Sequence, residues 1–147
     1  MMSKKIVIIS GDPNSINSEI IYKAWKKLNS KTKRKIYLVG NYNLINKQLR
    51  NLNYKIDIVK INKLEDNIIS TNLKIIDIPL NFKNPFKVNF KESSKFVLKS
   101  LNLAHKLGKD RKVNGIINCP IDKSLIKTSK KMGVTEFLAS KCKIKDS

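Results

Sequence analysis

The chain has 147 residues, the length of one domain and enough to bury a core. Its 41% hydrophobic and 7% aromatic content excludes a disordered chain, and no apolar run approaches the roughly 18 residues of a membrane span. The net charge of +20 rests on 28 lysines and only three arginines, Arg34, Arg50 and Arg111, beside 21 isoleucines and 17 asparagines. Lys, Ile and Asn share A/T-rich codons, and arginine is the side chain suited to bidentate phosphate recognition. The composition therefore argues against a nucleic-acid partner.

Met1 to Lys5 is basic, and the apolar run Ile6-Val7-Ile8-Ile9 after it is too short for a signal segment. The reading is a cytoplasmic protein without a membrane segment. Ile6 to Ile9 has the continuous apolar character of a strand buried on both faces. Gly11-Asp12-Pro13-Asn14-Ser15 is a turn cluster. Ile16, Ile20, Ile21, Ala24, Trp25 and Leu28 then recur at helical spacing. Ile36 to Val39 predicts a second strand, closed by Gly40, and Leu44, Ile45 and Leu49 predict a second helix. Tyr54, Ile56 and Ile58 alternate as in a strand, and Leu73 to Ile78 forms another that ends at Pro79.

Residues 80 to 90 read as loop. A long helix follows, capped by Ser93 or Ser94, striped by Phe96, Val97, Leu101, Ala104 and Leu107, and stopped by Gly108. Val113 to Asn118 reads as a buried strand running into Cys119-Pro120. Short helices are expected from Asp122 to Ile126 and from Thr135 to Ala139. Strands alternating with helices predict an α/β fold, a mostly parallel sheet flanked by helices.

In such folds ligands bind beyond the carboxyl ends of the strands. Two such ends stand out. The turn at Gly11 and Asp12 feeds a helix and suits an anion, or else Asp12 simply satisfies local backbone donors. It is neither a dinucleotide fingerprint nor a P-loop. At the second, Asp122 can cap the next helix, which sets Lys123 against the helix dipole. Either a phosphate or carboxylate compensates, or Lys123 is one more solvated lysine. Thr135 can cap a helix or bond a substrate. His105, the single histidine, falls late in its helix, where a cation is welcome. Cys119 and Cys142 lack metal-motif spacing. No metal ligand set and no nucleophile–base pair can be drawn from these residues.

Three segments in order resemble the N-terminal half of the 4-hydroxythreonine-4-phosphate dehydrogenase family of pyridoxal phosphate biosynthesis. Gly11-Asp12-Pro13-Asn14-Ser15-Ile16-Asn17-Ser18-Glu19-Ile20 is similar to the family's Gly-Asp-Pro-Ala-Gly-Ile-Gly-Pro-Glu-Ile. Cys119-Pro120-Ile121-Asp122-Lys123 is similar to Ala-Pro-Ile-Asn-Lys. Gly133-Val134-Thr135-Glu136-Phe137-Leu138-Ala139 is similar to Gly-His-Thr-Glu-Phe-Leu-Ala.

The resemblance implies a fold like that of isocitrate and isopropylmalate dehydrogenases, with two α/β domains and an active site at a cleft and dimer interface. On that reading residues 1–147 are the N-terminal part, truncated before the C-terminal half. The implied reaction is NAD- or NADP-dependent oxidation of 4-phosphooxy-threonine to a β-keto acid, which decarboxylates to 3-amino-2-oxopropyl phosphate. A divalent metal (Zn, Mg or Co) polarises the reacting oxygen. Its histidine ligands are expected beyond residue 147, so the chain alone is expected to be inactive. The implied substrate contacts are Thr135, Val134 (where the family has histidine), Lys123 and Asp122.

Val134 can neither donate a hydrogen bond nor carry charge, and Ser15, Asn17 and Ser18 replace two glycines and a proline. A related dehydrogenase acting on another phosphorylated hydroxy acid is the alternative, and a basic domain binding RNA or another polyanion is a further one. Apolar interdomain or dimer surface is expected to lie exposed.

Overall fold

The computed structural model describes residues 5–64 and 71–126. Its strands are β1 (Lys5–Ile9), β2 (Ile36–Gly40), β3 (Ile58–Ile61), β4 (Leu73–Asp77) and β5 (Val113–Asn118). The helices are α1 (Asn17–Lys27), α2 (Ser30–Lys33), α3 (Tyr42–Asn51) and α4 (Phe90–Gly108), and a 3-10 turn spans Lys123–Leu125. The strands form one sheet in the order β3-β4-β2-β1-β5, with every pairing parallel.

Alternation along the strands sorts the core into two layers. Val7, Ile9, Tyr37, Val39 and Ile76 face α4, which packs Phe96, Val97, Leu101 and Ala104 on them. Ile36, Leu38 and Ile75 face the other way, toward Ile21 and Trp25 of α1 and Ile45 and Leu49 of α3. Helices thus cover both faces, as parallel sheets require. β2 is buried along its whole length because it lies at the centre of the sheet. From β1 the chain builds toward β2 on one side, while α4 carries it back across the sheet to β5 on the other. The carboxyl ends of β1 and β5 therefore flank the point where the winding reverses.

Several expectations are corrected. The strand expected at Tyr54 and Ile56 lies further on, because Asn53 turns the chain with φ of 60° and Tyr54 stacks on Tyr22 at 4.4 Å. Asn89, not Ser93 or Ser94, caps α4, its side chain accepting from the Glu92 N–H at 3.0 Å. Gly108 is the last residue of α4 rather than a left-handed stop. A Cβ there would lie 2.8 Å from Ile116 Cδ1, so the glycine permits close helix–strand packing. The Asp122–Ile126 helix is the shorter 3-10 turn.

The apolar stripe of α1 is only partly a core face. Ile21 and Trp25 are buried, but Ile16 and Ile20 are 66% and 42% exposed. Asn17 and Ser18 occupy the buried side of the first turn instead. β5 is half-exposed, not buried on both faces.

Lys74 lies in β4 with 1% of its surface accessible. Its Nζ donates to the Arg34 carbonyl at 2.9 Å and sits 4.6 Å above the Tyr37 ring. Burial, and next the nearby Lys5, push its pKa below the ordinary lysine value. Lys5 flanks the same ring at 5.4 Å and donates to the Leu64 carbonyl.

Candidate functional site

The loop after β1 is built by its own short polar side chains. Ser10 donates its N–H to Val39, which continues the sheet by one residue. Gly11 then turns with φ of +80°. The Asp12 carboxylate accepts the Asn14 N–H at 2.8 Å, and Ser15 Oγ donates back to the Asp12 carbonyl at 2.6 Å. Ser15 Oγ also accepts the Asn17 N–H at 3.2 Å. Asp12 therefore satisfies local donors, which is the simpler of its two sequence readings.

This loop is fastened to the loop after β5. Asn17 Nδ2 donates to the Ser10 carbonyl at 2.9 Å and to the Pro120 carbonyl at 2.8 Å. The Asp12 N–H reaches the same Pro120 carbonyl at 3.3 Å, and Cys119 N–H donates to Ile9. A Cβ on Gly11 would lie 2.7 Å from both Pro120 O and Asn17 Nδ2, so this crossing needs glycine for space as well as for backbone angle. Asn17 is buried and its Oδ1 has no hydrogen-bond partner among the described residues.

The neighbouring loops are tied in the same way. Asn14 pairs reciprocally with Val88, donating to its carbonyl at 2.6 Å and accepting its N–H at 2.7 Å. Gln48 Nε2, from α3, donates to the carbonyls of Pro13 and Pro85. Asn41 caps α3 and donates to the Ile78 carbonyl at 2.8 Å. These amides went unnoticed in the sequence, where asparagine is abundant. One signal was available, since Asn41 and Asn89 each stand directly before a helical pattern.

In the second loop Cys119 is buried, which pushes its thiol pKa up. Asp122 caps the 3-10 turn, accepting Ser124 N–H at 3.0 Å and Ser124 Oγ–H at 2.9 Å. The backbone bond first, then the side-chain bond, holds its carboxyl below the usual range. Ser94 Oγ anchors the turn to α4 through the Leu125 carbonyl at 2.8 Å. Lys123 is exposed at the head of the turn. Nearby on the chain, Asn81, Phe82, Lys83, Lys87, Asn89 and Glu92 line an open cavity of about 460 Å³ at the start of α4.

The structure thus brings Gly11 and Asp12 together with the Cys119-Pro120 loop that carries Asp122 and Lys123. Val134 and Thr135 lie outside the described residues, as do Cys142 and the helix expected at Thr135 to Ala139. Among the described residues, no three His, Cys, Asp or Glu side chains come together as a metal ligand set. The described residues therefore do not fit a metal. No helix among them is long and apolar enough to cross a membrane.

A parallel sheet covered by helices on both faces, with its loops fastened at the reversal point, defines a doubly wound α/β protein. The chain belongs to the family of the pyridoxal phosphate biosynthetic protein PdxA, whose model matches residues 31–147. That span includes the Cys119–Lys123 and Gly133–Ala139 segments but not Gly11–Ile20.

The fold is similar to that of a 4-hydroxythreonine-4-phosphate dehydrogenase from Burkholderia phymatum. The TM-score is 0.84 at 17% identity over 98% of this chain and 45% of that one. The Klebsiella pneumoniae 4-hydroxythreonine-4-phosphate dehydrogenase gives 0.74 at 20% identity, over 94% and 45%. A terephthalate 1,2-cis-dihydrodioldehydrogenase from Burkholderia xenovorans gives 0.65 at 20%, over 94% and 40%. The chain thus spans less than half the length of these structures. No curated protein matches it.

Proposed function

We propose that this chain is the N-terminal part of a two-domain dehydrogenase and contributes substrate-binding groups to it. The substrate is 4-phosphooxy-threonine, oxidised with NAD or NADP to a β-keto acid that decarboxylates to 3-amino-2-oxopropyl phosphate in pyridoxine 5'-phosphate biosynthesis. Family membership supports the reading, and one observation carries it. The loops after β1 and β5, which hold two of the three family-like segments, are bonded to each other through Asn17, Ser10 and Pro120.

On this reading Lys123 supplies positive charge to the substrate phosphate or carboxylate. Asp122 shapes the turn that presents Lys123, and Gly11 and Asp12 fix the adjoining turn. Thr135 donates a hydroxyl hydrogen bond to substrate, while Val134 supplies no polar contact where the family has histidine. A nicotinamide cofactor (NAD or NADP) would supply hydride acceptance and a divalent metal (Zn, Mg or Co) would supply Lewis-acid polarisation of the reacting oxygen. The residues that would hold both are assigned to the part of the solved relatives that this chain does not span. The assembled enzyme is a cytoplasmic homodimer.

Val134 favours a second reading, a related dehydrogenase for another phosphorylated hydroxy acid, since a changed pocket residue changes the substrate.

Calorimetric titration at physiological salt tests the site. 4-Phosphooxy-threonine binds, and Lys123→Ala weakens it about tenfold, or 1.4 kcal/mol. Lys109→Ala, at the amino end of β5 and so at the opposite end of the strands, leaves binding unchanged. Equal effects of the two substitutions would reduce the interaction to the general field of a +20 chain.

A further inference from the structure

The loop between β4 and α4 carries a pattern that neither the fold nor the proposed substrate uses. Phe82, Phe86 and Phe90 recur every four residues, and each is followed by a lysine, Lys83, Lys87 and Lys91. Codon composition accounts for lysines scattered over a surface. It does not set three of the chain's five phenylalanines outside both core clusters. Phe86 and Phe90 are each 47% exposed, and the three lysines are exposed beside them.

The turn that presents Phe86 is held in place. Lys87 N–H donates to the Asn84 carbonyl at 3.1 Å across Pro85, and Asn84 Oδ1 accepts the Phe86 N–H at 2.9 Å. Gln48 Nε2 donates to the Pro85 carbonyl at 2.7 Å. Asn14 bonds both backbone groups of buried Val88. Both flanks of Phe86 are thus tied to the body of the protein, while its ring stays in water. Single exposed apolar residues need no explanation, but rings grouped with cations on one fastened turn do.

The open cavity of about 460 Å³ at the start of α4 adjoins this turn. Phe82 gives it an aromatic wall, with Lys47 Nζ 5.3 Å from the ring centre. Asn81, Asn89 and Glu92 give it amide and carboxylate groups, and Lys83 and Lys87 give it positive charge. Flat apolar faces, hydrogen-bonding side chains and cations match the face of a nucleobase, its edge and its phosphates in turn.

We propose that residues 82–91 and the adjoining cavity bind single-stranded nucleic acid. Bases stack on Phe86 and Phe90, and phosphates meet Lys47, Lys83, Lys87 and Lys91. An anionic membrane surface is the poorer partner, because Glu92 would be brought against its headgroups and the amide-lined hollow offers nothing to acyl chains. The site does not rest on the substrate assignment, since it uses neither Lys123 nor Asp122.

Fluorescence anisotropy of a labelled oligouridylate with the full chain tests it. The logarithm of affinity falls with the logarithm of salt concentration at a slope of about −3, as four phosphate-bound lysines require. Phe86→Ala with Phe90→Ala, at exposed positions, keeps the circular dichroism of the parent and weakens binding about tenfold or more. Lys31→Ala with Lys109→Ala leaves binding unchanged. Phe86→Trp retains affinity, and its indole is quenched by the oligouridylate but not by heparin, a polyanion without bases. Equal binding by the parent and the double alanine variant, or no quenching, would reduce the interaction to the field of a +20 chain and overturn the proposal. Binding to vesicles of equal parts phosphatidylserine and phosphatidylcholine, with none to the oligouridylate, would make a membrane the partner and overturn it as well.

Discussion

The side-chain amide of Asn17 donates to the carbonyl of Pro120 at 2.8 Å, joining residues 103 positions apart. With its second bond, to Ser10, this amide holds the loop after β1 against the loop after β5. In the resemblance drawn from the sequence, the family has glycine at this position, which has no side-chain amide to donate.

Asn17→Ala strips a donor from two carbonyls, at a cost of about 1–3 kcal/mol. The melting temperature falls by roughly 3–9 °C for a domain of this size. Asn17→Asp costs more than Asn17→Ala, because a buried carboxylate cannot donate to either carbonyl. Calorimetric melting of the three proteins checks the order, and an aspartate variant as stable as the alanine variant would show that the donated bonds do not hold the loops.

Two glycines should respond oppositely to the same substitution. Gly11→Ala places a Cβ 2.7 Å from Pro120 O in a left-handed backbone, and about 2 kcal/mol or more of stability is lost. Gly115→Ala meets nothing and has no positive φ, so it is neutral or stabilising by up to about 1 kcal/mol. Urea midpoints of the two variants measure the difference.

Buried Lys74 gives stability a pH dependence of known sign. Its folded pKa is depressed, mainly by burial, so the fold disfavours its charged form. Below the folded pKa that penalty is present in full. It is relieved as pH rises from the folded value toward the ordinary 10.5. Lys23 and Tyr54 are shifted upward, each chiefly by a hydrogen bond with Glu19, and they lose stability at higher pH. The difference between wild type and Lys74→Met isolates the effect. Wild type gains on the methionine variant as pH rises toward the ordinary lysine value of 10.5 in urea unfolding. A flat difference would mean that Lys74 is not held below its ordinary range.

At the α4 cap the structure replaces the expected Ser93 or Ser94 with Asn89. Asn89→Ala removes the bond to Glu92 N–H and costs about 1 kcal/mol. Ser94→Ala instead releases Leu125 and the 3-10 turn, which exchange measurements on the Leu125 and Ile126 amides would detect as faster opening.

Most of the fold was legible from periodicity. β1, β2, β4 and the apolar face of α4 follow from unbroken or helically spaced hydrophobic residues, and burial bears them out, while β5 lies where expected but half-exposed. What hydropathy hid was polar burial. Lys74 sits in the core because Arg34 and Tyr37 receive its ammonium, and no local pattern encodes those partners. Asn17 and Ser18 take the buried side of α1's first turn while Ile16 and Ile20 face outward, against the simple stripe. α2 escaped notice because its four residues carry no apolar repeat, only the Asn29 cap. At the candidate site, both loops were legible as strand ends, but their fastening was not, since it depends on asparagine and glutamine bonding to distant carbonyls.

The most direct test of the account is an amide NMR titration of the chain with 4-phosphooxy-threonine. The account predicts saturable shifts at Gly11, Asp12 and Cys119 to Ser124, with Lys31, Lys109 and Lys112 at the amino ends of the strands unmoved. Shifts spread evenly over the lysine-rich surface, or none at Asp122 and Lys123, would contradict it.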